Sequence, residues 1–579
     1  MTAMTTFDIH KGLLRPELYI GTLSAVAAQS ASIYLMSSTQ TSGSHYLGAR
    51  YGNGEVGEFV LVEGQTALTL GRLVETNVHK QTTTPKDKAP HDGVGVIQLL
   101  GTIAMDSLKI TPGVNQFPRL GDRVYAAPHS LIAKIPKLMD ATEGRNDVFL
   151  NLGSISGATE SAIEIKPEKL LGRHCAILGS TGGGKSWTTA RVIEECLKFN
   201  SKIVLLDATS EYRSIPEDHT THLHLGSPIS RSEGSKPCSL PPTSFIESDF
   251  IALFEPSGKV QGPKLRAAMR SLRLAHLAPH IAPAGIIRKI DQPKGPILAE
   301  ELRPDISAKL DDPSQPFDVR KLVAQIEQEC VYPEGFGPGR GVKDPTRWGG
   351  DSGEFSYCLA LVSRINGVLT SPAFDCVFRS EGDPLTSQIE SFMASDKRLL
   401  RICVGGVSFE YNAREIIANA IGRYLLSMAR RGSFKHRPLV AMVDEAHNFL
   451  GRHIGSEDAI AKLDAFEIIA KEGRKYGLTI CLSTQRPRDI TEGVLSQMGT
   501  LIVHRLTNDR DRDVVERACG EIDRSASSFL PNLKPGEAAI VGADFPIPLT
   551  IQIAPPTIRP NSDGPNYQSH WVIPGKNMK

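Results

Sequence analysis

Hydrophobic and polar positions change rhythm once along this chain, near Glu164. From Leu18 to about Ala126 apolar and polar residues alternate with a period of two, in short runs: Tyr19-Ile20-Gly21-Thr22-Leu23, Ala31 to Met36, Glu58 to Val62, Ala67 to Val74 and Val94 to Ile103. Glycines and turn clusters such as Tyr51-Gly52-Asn53-Gly54 separate the runs, and Pro118-Arg119-Leu120-Gly121-Asp122-Arg123-Val124-Tyr125 reads as a turn feeding a last strand. This pattern predicts an all-β barrel or sandwich. It contains no obvious catalytic residues, so its expected work is oligomerisation or docking of a partner.

After Glu164, strand and helix signals alternate almost to Ile553, the arrangement of an α/β sheet protein. Two inserts interrupt it. Phe245 to Ile290 is helical in pattern; Val331 to Gly353 has glycines at 335, 337, 339, 341, 349, 350 and 353 and reads as a long irregular loop. Beyond Ala554 the prolines at 555, 556, 560, 565 and 574 suit an extended arm packing on a neighbour, or a loose tail. The organisation expected is therefore an N-terminal β-barrel over 1–150, an α/β core from 151–240 and 395–554 with a central β-sheet, a helical and loop insert over 241–394, and a C-terminal arm over 555–579.

Composition narrows the classes. With 579 residues, 40% hydrophobic and 22% charged, the chain has apolar material for several cores, which excludes wholesale disorder. Lys+Arg is 65 and Asp+Glu 64, so any nucleic-acid contact must come from local basic stripes. No apolar stretch reaches the length of a membrane span, and Met1 to Lys11 lacks the basic region and apolar run of a secretory signal, so a cytoplasmic protein without a membrane partner is expected. The nine cysteines (Cys175, Cys196, Cys238, Cys330, Cys358, Cys376, Cys403, Cys481, Cys519) are scattered singly, which argues against a disulfide framework or a zinc ribbon and for reduced thiols.

The chemistry begins after the apolar run Ala176-Ile177-Leu178. Gly179-Ser180-Thr181-Gly182-Gly183-Gly184-Lys185-Ser186 follows, and then a helical pattern through Leu197. This is G-x-x-x-x-G-K-[ST] in its required context of strand, glycine loop and helix start. The glycines let backbone N–H groups turn inward around an anion, and the helix N-terminus adds its dipole. Lys185 would reach the terminal phosphates of ATP, and the Ser186 hydroxyl would ligate Mg²⁺.

A hydrolytic enzyme needs a second acidic site, and Leu439 to Val443 is an apolar strand ending in Asp444-Glu445. Asp444 would hold the Mg²⁺ shell and Glu445 would polarise the attacking water. Asp207, ending the strand Ile203 to Leu206, is a further acid near the nucleotide edge of such a sheet and reads as structural. Gln485, after the strand Leu478 to Leu482, is placed to sense or orient the water. Arg474, at the end of a helix predicted over Asp464 to Lys471, either complements the helix dipole together with Lys475 or reaches a neighbouring subunit's nucleotide.

The order of these segments, with Leu-Leu-Asp207-Ala-Thr-Ser-Glu-Tyr, Val-Asp444-Glu445-Ala446-His447, Glu-Gly-Arg474-Lys-Tyr-Gly and Ser-Thr-Gln485-Arg-Pro, resembles the HerA branch of the HerA/FtsK ATPases. Tyr19-Ile-Gly-Thr-Leu and Arg119-Leu-Gly-Asp-Arg-Val resemble the barrel that precedes the motor in that family, and Leu533 to Gly542 its final strand. The resemblance implies a RecA-like P-loop ATPase core and a homohexameric ring that hydrolyses ATP at subunit interfaces while moving on or unwinding double-stranded DNA. It assigns Lys185 and Ser186 to phosphate and Mg²⁺, Asp444 and Glu445 to metal and water, Gln485 to sensing and Arg474 to a finger acting in trans. It also implies a separate effector on the ring, nuclease-like or sirtuin-like, in DNA end processing or antiphage defence.

Asp444-Glu445-Ala446-His447 also spells a DEAH helicase signature, but the tandem second motor domain of that class is missing, which leaves His447 as a hydrogen-bonding neighbour of the acids. Lys264, Arg266, Arg270 and Arg273 form either a phosphate-tracking stripe or a solvated helix face. The competing function is an ATP-gated assembly platform that activates an effector without processive transport; a protein-remodelling ATPase is a weaker third.

Overall fold

A computed structural model describes residues 13–35, 44–46, 49–52, 54–78, 93–140, 147–228, 234–337, 341–379, 382–450, 463–518, 529–562, 567 and 571. The expectations placed on Met1 to Lys11 and on Cys519 lie outside the described residues. Strands β1 (Tyr19–Val26), β2 (Ser30–Leu35), β3 (Phe59–Val62), β4 (Ala67–Val78), β5 (Gly93–Ala104), β6 (Ile110–Pro112) and β7 (Arg123–Ala126) come first. Helix α1 (His129–Leu138), the hairpin β8 (Leu150–Ile155) and β9 (Ala158–Ile165), β10 (Cys175–Leu178) and α2 (Lys185–Leu197) follow. Then come β11 (Ile203–Asp207), β12 (Thr220–His224), β13 (Lys236–Ser239), α3 (Glu247–Phe254), α4 (Gly258–Leu277) and α5 (Leu322–Glu329). The chain continues through β14 (Leu399–Cys403), α6 (Ala413–Arg430), β15 (Leu439–Val443), α7 (Ala465–Glu472), β16 (Leu478–Thr484), β17 (Thr500–Val503), β18 (Glu537–Gly542) and β19 (Phe545–Ile553).

These elements divide between two compact units, one formed by Met1–Phe199, Ser483–Arg488 and Leu495–Arg559, the other by Asn200–Leu482, Asp489–Val494 and Pro560–Lys579. In the first unit the strands run β2-β1-β7-β3-β4-β5, and β2 also pairs with β5, so the sheet closes on itself as a barrel. The period-two alternation of the sequence is the reason: every second side chain points inward, and Ile20, Ile33, Val60, Val62, Leu73, Ile97 and Val124 are fully buried there. Each such burial contributes roughly 1.5–3 kcal/mol. A Cβ on Gly21 would lie 1.9 Å from the Tyr34 carbonyl oxygen, so β1 and β2 approach closely only because that position is glycine.

The same unit carries the run β9-β8-β19-β18-β17-β10, in which β10 and β17 are parallel and the rest antiparallel. All four residues of β10 are buried, which is why it reads as an unbroken apolar run. In the second unit β16-β15-β11-β14-β12-β13 are parallel throughout, and β11 and β14 are buried at every position.

Between Phe245 and Ile290 the insert is helical, with α3 and α4, and α5 adds a helix beyond that stretch. Within the segment read as irregular, Gly335–Phe336 and Lys343–Asp344 pair as a two-stranded hairpin. Among the residues of the basic stripe, Lys264 pairs with Glu354 at 2.7 Å, Arg270 with Glu301 at 2.6 Å and Asp311 at 3.0 Å, Arg273 with Glu247 at 3.1 Å, and Arg266 lies 3.6 Å from Glu247. Each of these cations has an acid of the insert beside it, and Arg273 is buried, which departs from a plain solvated face. Cys175, Cys196, Cys238, Cys330, Cys358, Cys376, Cys403 and Cys481 are all buried. At the end of the first unit Thr557 donates to Glu194 of α2 at 2.6 Å, and Arg559 lies over the Trp187 ring at 5.6 Å, so the arm begins by packing on its own chain. Among the described residues no helix is long and apolar enough to cross a membrane.

Candidate functional site

The phosphate loop lies in the first unit, between β10 and α2. Gly182 and Gly184 have φ of 76° and 114°, in the left-handed region that costs a side-chain-bearing residue about 1–2 kcal/mol. Around Gly182 a Cβ would meet nothing within 4 Å, so there glycine serves the backbone angle; at Gly184 it would sit 3.2 Å from His504 Cε1 and 3.4 Å from Gly536 Cα. Three anchors hold the loop open: Ser180 donates from N and from Oγ to the Arg505 carbonyl, each at 3.0 Å, and Gly536 N donates to the Gly183 carbonyl at 3.3 Å. Lys185, first residue of α2 and only 7% exposed, donates from Nζ to the Ser180 carbonyl at 3.3 Å, so its ammonium folds back over the loop. Ser186 follows on the first turn, where backbone N–H groups have no helical partner.

Gln485 comes just after β16, and its Oε1 accepts from the Thr181 hydroxyl. Gln485 and the phosphate loop, 304 positions apart in sequence, are therefore in direct contact. Sequence reasoning passed over His504, at the end of β17. It is fully buried, with Nε2 2.8 Å from Thr188 Oγ1 and Nδ1 2.8 Å from the Glu537 carbonyl. Burial, reinforced by the charge of Lys185 and opposed by the bond to Glu537, pushes its pKa down to about 4. Only an apolar strand followed by a histidine marks the position in sequence, which does not distinguish it from any other buried ring.

The acidic pair lies in the second unit. Asp444 follows β15, is 3% exposed, and its N–H donates to the Leu206 carbonyl at 3.0 Å, which continues the pairing with β11 past the strand end. Glu445 adopts φ 45° and ψ 47°, a left-handed conformation that costs a non-glycine residue about 1–3 kcal/mol and turns the chain sharply out of the strand. His447 Nδ1 lies 3.1 Å from Glu445 Oε2, the neighbour role expected of it. Arg474 is exposed on the 3₁₀ turn Gly473–Tyr476, directly after α7.

ATP and Mg²⁺ fit the residues present. The Gly182–Gly184 backbone forms a cradle with the N-terminus of the 13-residue α2 behind it, suited to phosphate oxygens. A hydroxyl at the start of α2 is a hard oxygen donor of the kind Mg²⁺ takes, alongside the nucleotide's own phosphates. Among the described residues no group of three or more His, Cys, Asp or Glu could hold a metal ion by itself.

Comparison with known proteins adds the following. The description "Helicase HerA, central domain" matches residues 150–293. The chain is 25% identical over 524 residues to a probable DNA double-strand break repair helicase HerA of Methanocaldococcus jannaschii, covering 86% of this chain and 90% of that protein. It is 37% identical over 119 residues, 20% of each chain, to the DNA double-strand break repair helicase HerA of Pyrococcus furiosus. Among solved structures, the bacterial conjugative coupling protein TrwB overlaps 76% of this chain and 94% of its own at 14% identity, with a TM-score of 0.44.

Proposed function

We propose that this chain is a HerA-type P-loop ATPase and that it couples ATP hydrolysis to movement along double-stranded DNA. The observation that carries the reading is the loop Gly179 to Ser186, anchored open at Ser180 and Gly183, with Lys185 folded over it at the start of a helix. The similarity to DNA double-strand break repair helicases supports DNA as the track.

Bound ATP with Mg²⁺ supplies the phosphoryl bond to be broken and neutralises the charge that develops around it. Lys185 and the loop N–H groups bind the phosphates; Ser186 and Asp444 are the protein donors to the metal. Glu445 orients and polarises the attacking water, and Gln485, held by Thr181, reports the state of the terminal phosphate to its strand. Arg474, exposed on its turn, reaches the nucleotide of a neighbouring subunit and stabilises charge there. That role calls for a ring, which we take to be a homohexamer in the cytoplasm. The N-terminal barrel is its collar, on which an effector, nuclease-like or sirtuin-like, docks in antiphage defence or DNA end processing.

The test is the steady-state ATPase rate with and without linear duplex across a salt series, with Lys185→Ala as the blank. The reading expects duplex stimulation that fades as salt rises. A rate indifferent to DNA overturns transport and favours an ATP-gated platform for the effector. Mixing Arg474→Ala chains into wild type is expected to lower activity by more than simple dilution, because each ring would then contain incomplete interfaces.

A further inference from the structure

His504 forms the floor of the phosphate loop. The Glu537 carbonyl can only accept, so the ring nitrogen facing it, Nδ1, carries the proton, and in the neutral ring Nε2 accepts from the Thr188 hydroxyl. The low pKa keeps the ring neutral at working pH. Glu537 is itself fixed: its carboxylate accepts from Ser156 Oγ at 2.5 Å and from Lys534 N at 2.8 Å, so the carbonyl that receives Nδ1 has little freedom.

Above the ring lie glycines. A Cβ at Gly179 would fall 2.5 Å from His504 Cβ, and one at Gly184 would fall 3.2 Å from His504 Cε1, so glycine lets the loop pass close to the base of this side chain and to its ring. Thr188 lies one turn into α2 beyond Lys185, and its N–H closes the first helical bond to the Gly184 carbonyl at 2.9 Å. One ring therefore touches the loop, the first turn of the helix and the strand end of β18.

We propose that His504 is a positioning residue for nucleotide binding: by joining Thr188 to the Glu537 carbonyl it sets the angle of the first turn of α2, and with it the reach of Lys185 and the spread of the loop N–H groups. It touches no phosphate itself. The inference rests on the reading of the loop as an ATP site.

The test uses the full chain, a fluorescent ATP analogue with Mg²⁺, and thermal melting without nucleotide. Thr188→Val keeps the shape and removes the hydroxyl; the first turn of α2 then loses its tie to the Glu537 carbonyl, and binding of the analogue is expected to weaken about tenfold because the phosphate-binding groups are no longer held in place before the nucleotide arrives. Thr188→Ser restores the donor and is expected to recover most of that loss. His504→Gln, whose amide oxygen can still accept from Thr188, is expected to bind more tightly than His504→Asn, which is too short to reach it. A merely structural role predicts that the variants melt lower yet bind the analogue as wild type does, with no rescue by serine, and that result overturns the inference alone. A wild-type chain that ignores the analogue overturns the reading of the loop and this inference together.

Discussion

Two aspartates close neighbouring parallel strands of the second unit, Asp207 at the end of β11 and Asp444 just beyond β15. In sequence both are an apolar run followed by a carboxylate. Asp207 is fully buried; its carboxylate accepts from Arg401 Nε at 2.7 Å and from the backbone N–H groups of Thr209, Glu211 and Tyr212 at 3.2–3.3 Å. Arg401, equally buried, turns its Nη2 to Ser210 Oγ at 2.7 Å. A carboxylate has about four acceptor positions, so Asp207 has none left for a metal. Asp444 is followed instead by Glu445 in a left-handed turn, with His447 against it. The residues after the strand, not the acid itself, separate the two. Ala-Thr-Ser-Glu-Tyr folds its own backbone around Asp207, whereas Glu-Ala-His leads the chain away from Asp444 and sets a second carboxylate beside it.

The comparison breaks or sharpens at four places. Glu445→Gln is expected to lower the ATPase kcat by about 10²–10⁴-fold, the usual worth of a group that moves a proton, with ATP binding and melting retained. Near-normal turnover by this variant would remove the functional corner. Asp207→Asn leaves Arg401 buried without its counter-charge, so urea unfolding is expected to show a loss of about 3–5 kcal/mol, while the chains that remain folded keep their kcat. A selective loss of turnover at unchanged stability would instead make Asp207 part of the chemistry.

His504 extends the comparison to a neutral strand-end group. Its folded pKa, about 4, lies below the ordinary histidine value, so the unfolded chain binds its proton first as the pH falls. The stability it allows is complete above about pH 6.5 and drains away towards pH 4, at about 1.4 kcal/mol per unit. Denaturant midpoints across that window, flattened in His504→Gln, would register it. The smallest effect belongs to the insert. Arg270→Ala is expected to cost at most about 1 kcal/mol, since its carboxylate partners are partly exposed, and to leave the salt dependence of any DNA stimulation unchanged.

Local features were legible where local physics decides them. The helix after the phosphate loop runs to Leu197 as its pattern indicates, because the glycine loop fixes its start and the apolar stripe its face. The acid pair and the trans-acting arginine candidate were found from strand ends and from the family resemblance. What remained hidden was pairing across long stretches of chain. Arg401 reaches Asp207 from 194 positions away, Gln485 reaches Thr181 from 304, and Arg270 finds Glu301 and Asp311 on segments whose charge pattern says nothing of α4. Periodicity reports which face is buried, and carries no address for a side-chain partner. The basic stripe shows the same limit, since i, i+4, i+7 spacing describes a face without saying which acids lie beside it.

The closure of the barrel limits how anything could attach to it. Strand β2 pairs with β1 on one side and with residues 93–98 of β5 on the other, and residues 101–103 of β5 are taken by the short β6, which ends in Pro112. A ring of strands joined this way presents little unpaired main chain to an incoming extended peptide, so the strand-addition mode of recognition is largely shut. A protein that settled on the barrel would therefore have to grip side chains and loops. Synthetic peptides copied from a single strand of such a visitor would make poor competitors, whereas a folded fragment that preserves its surface would compete well.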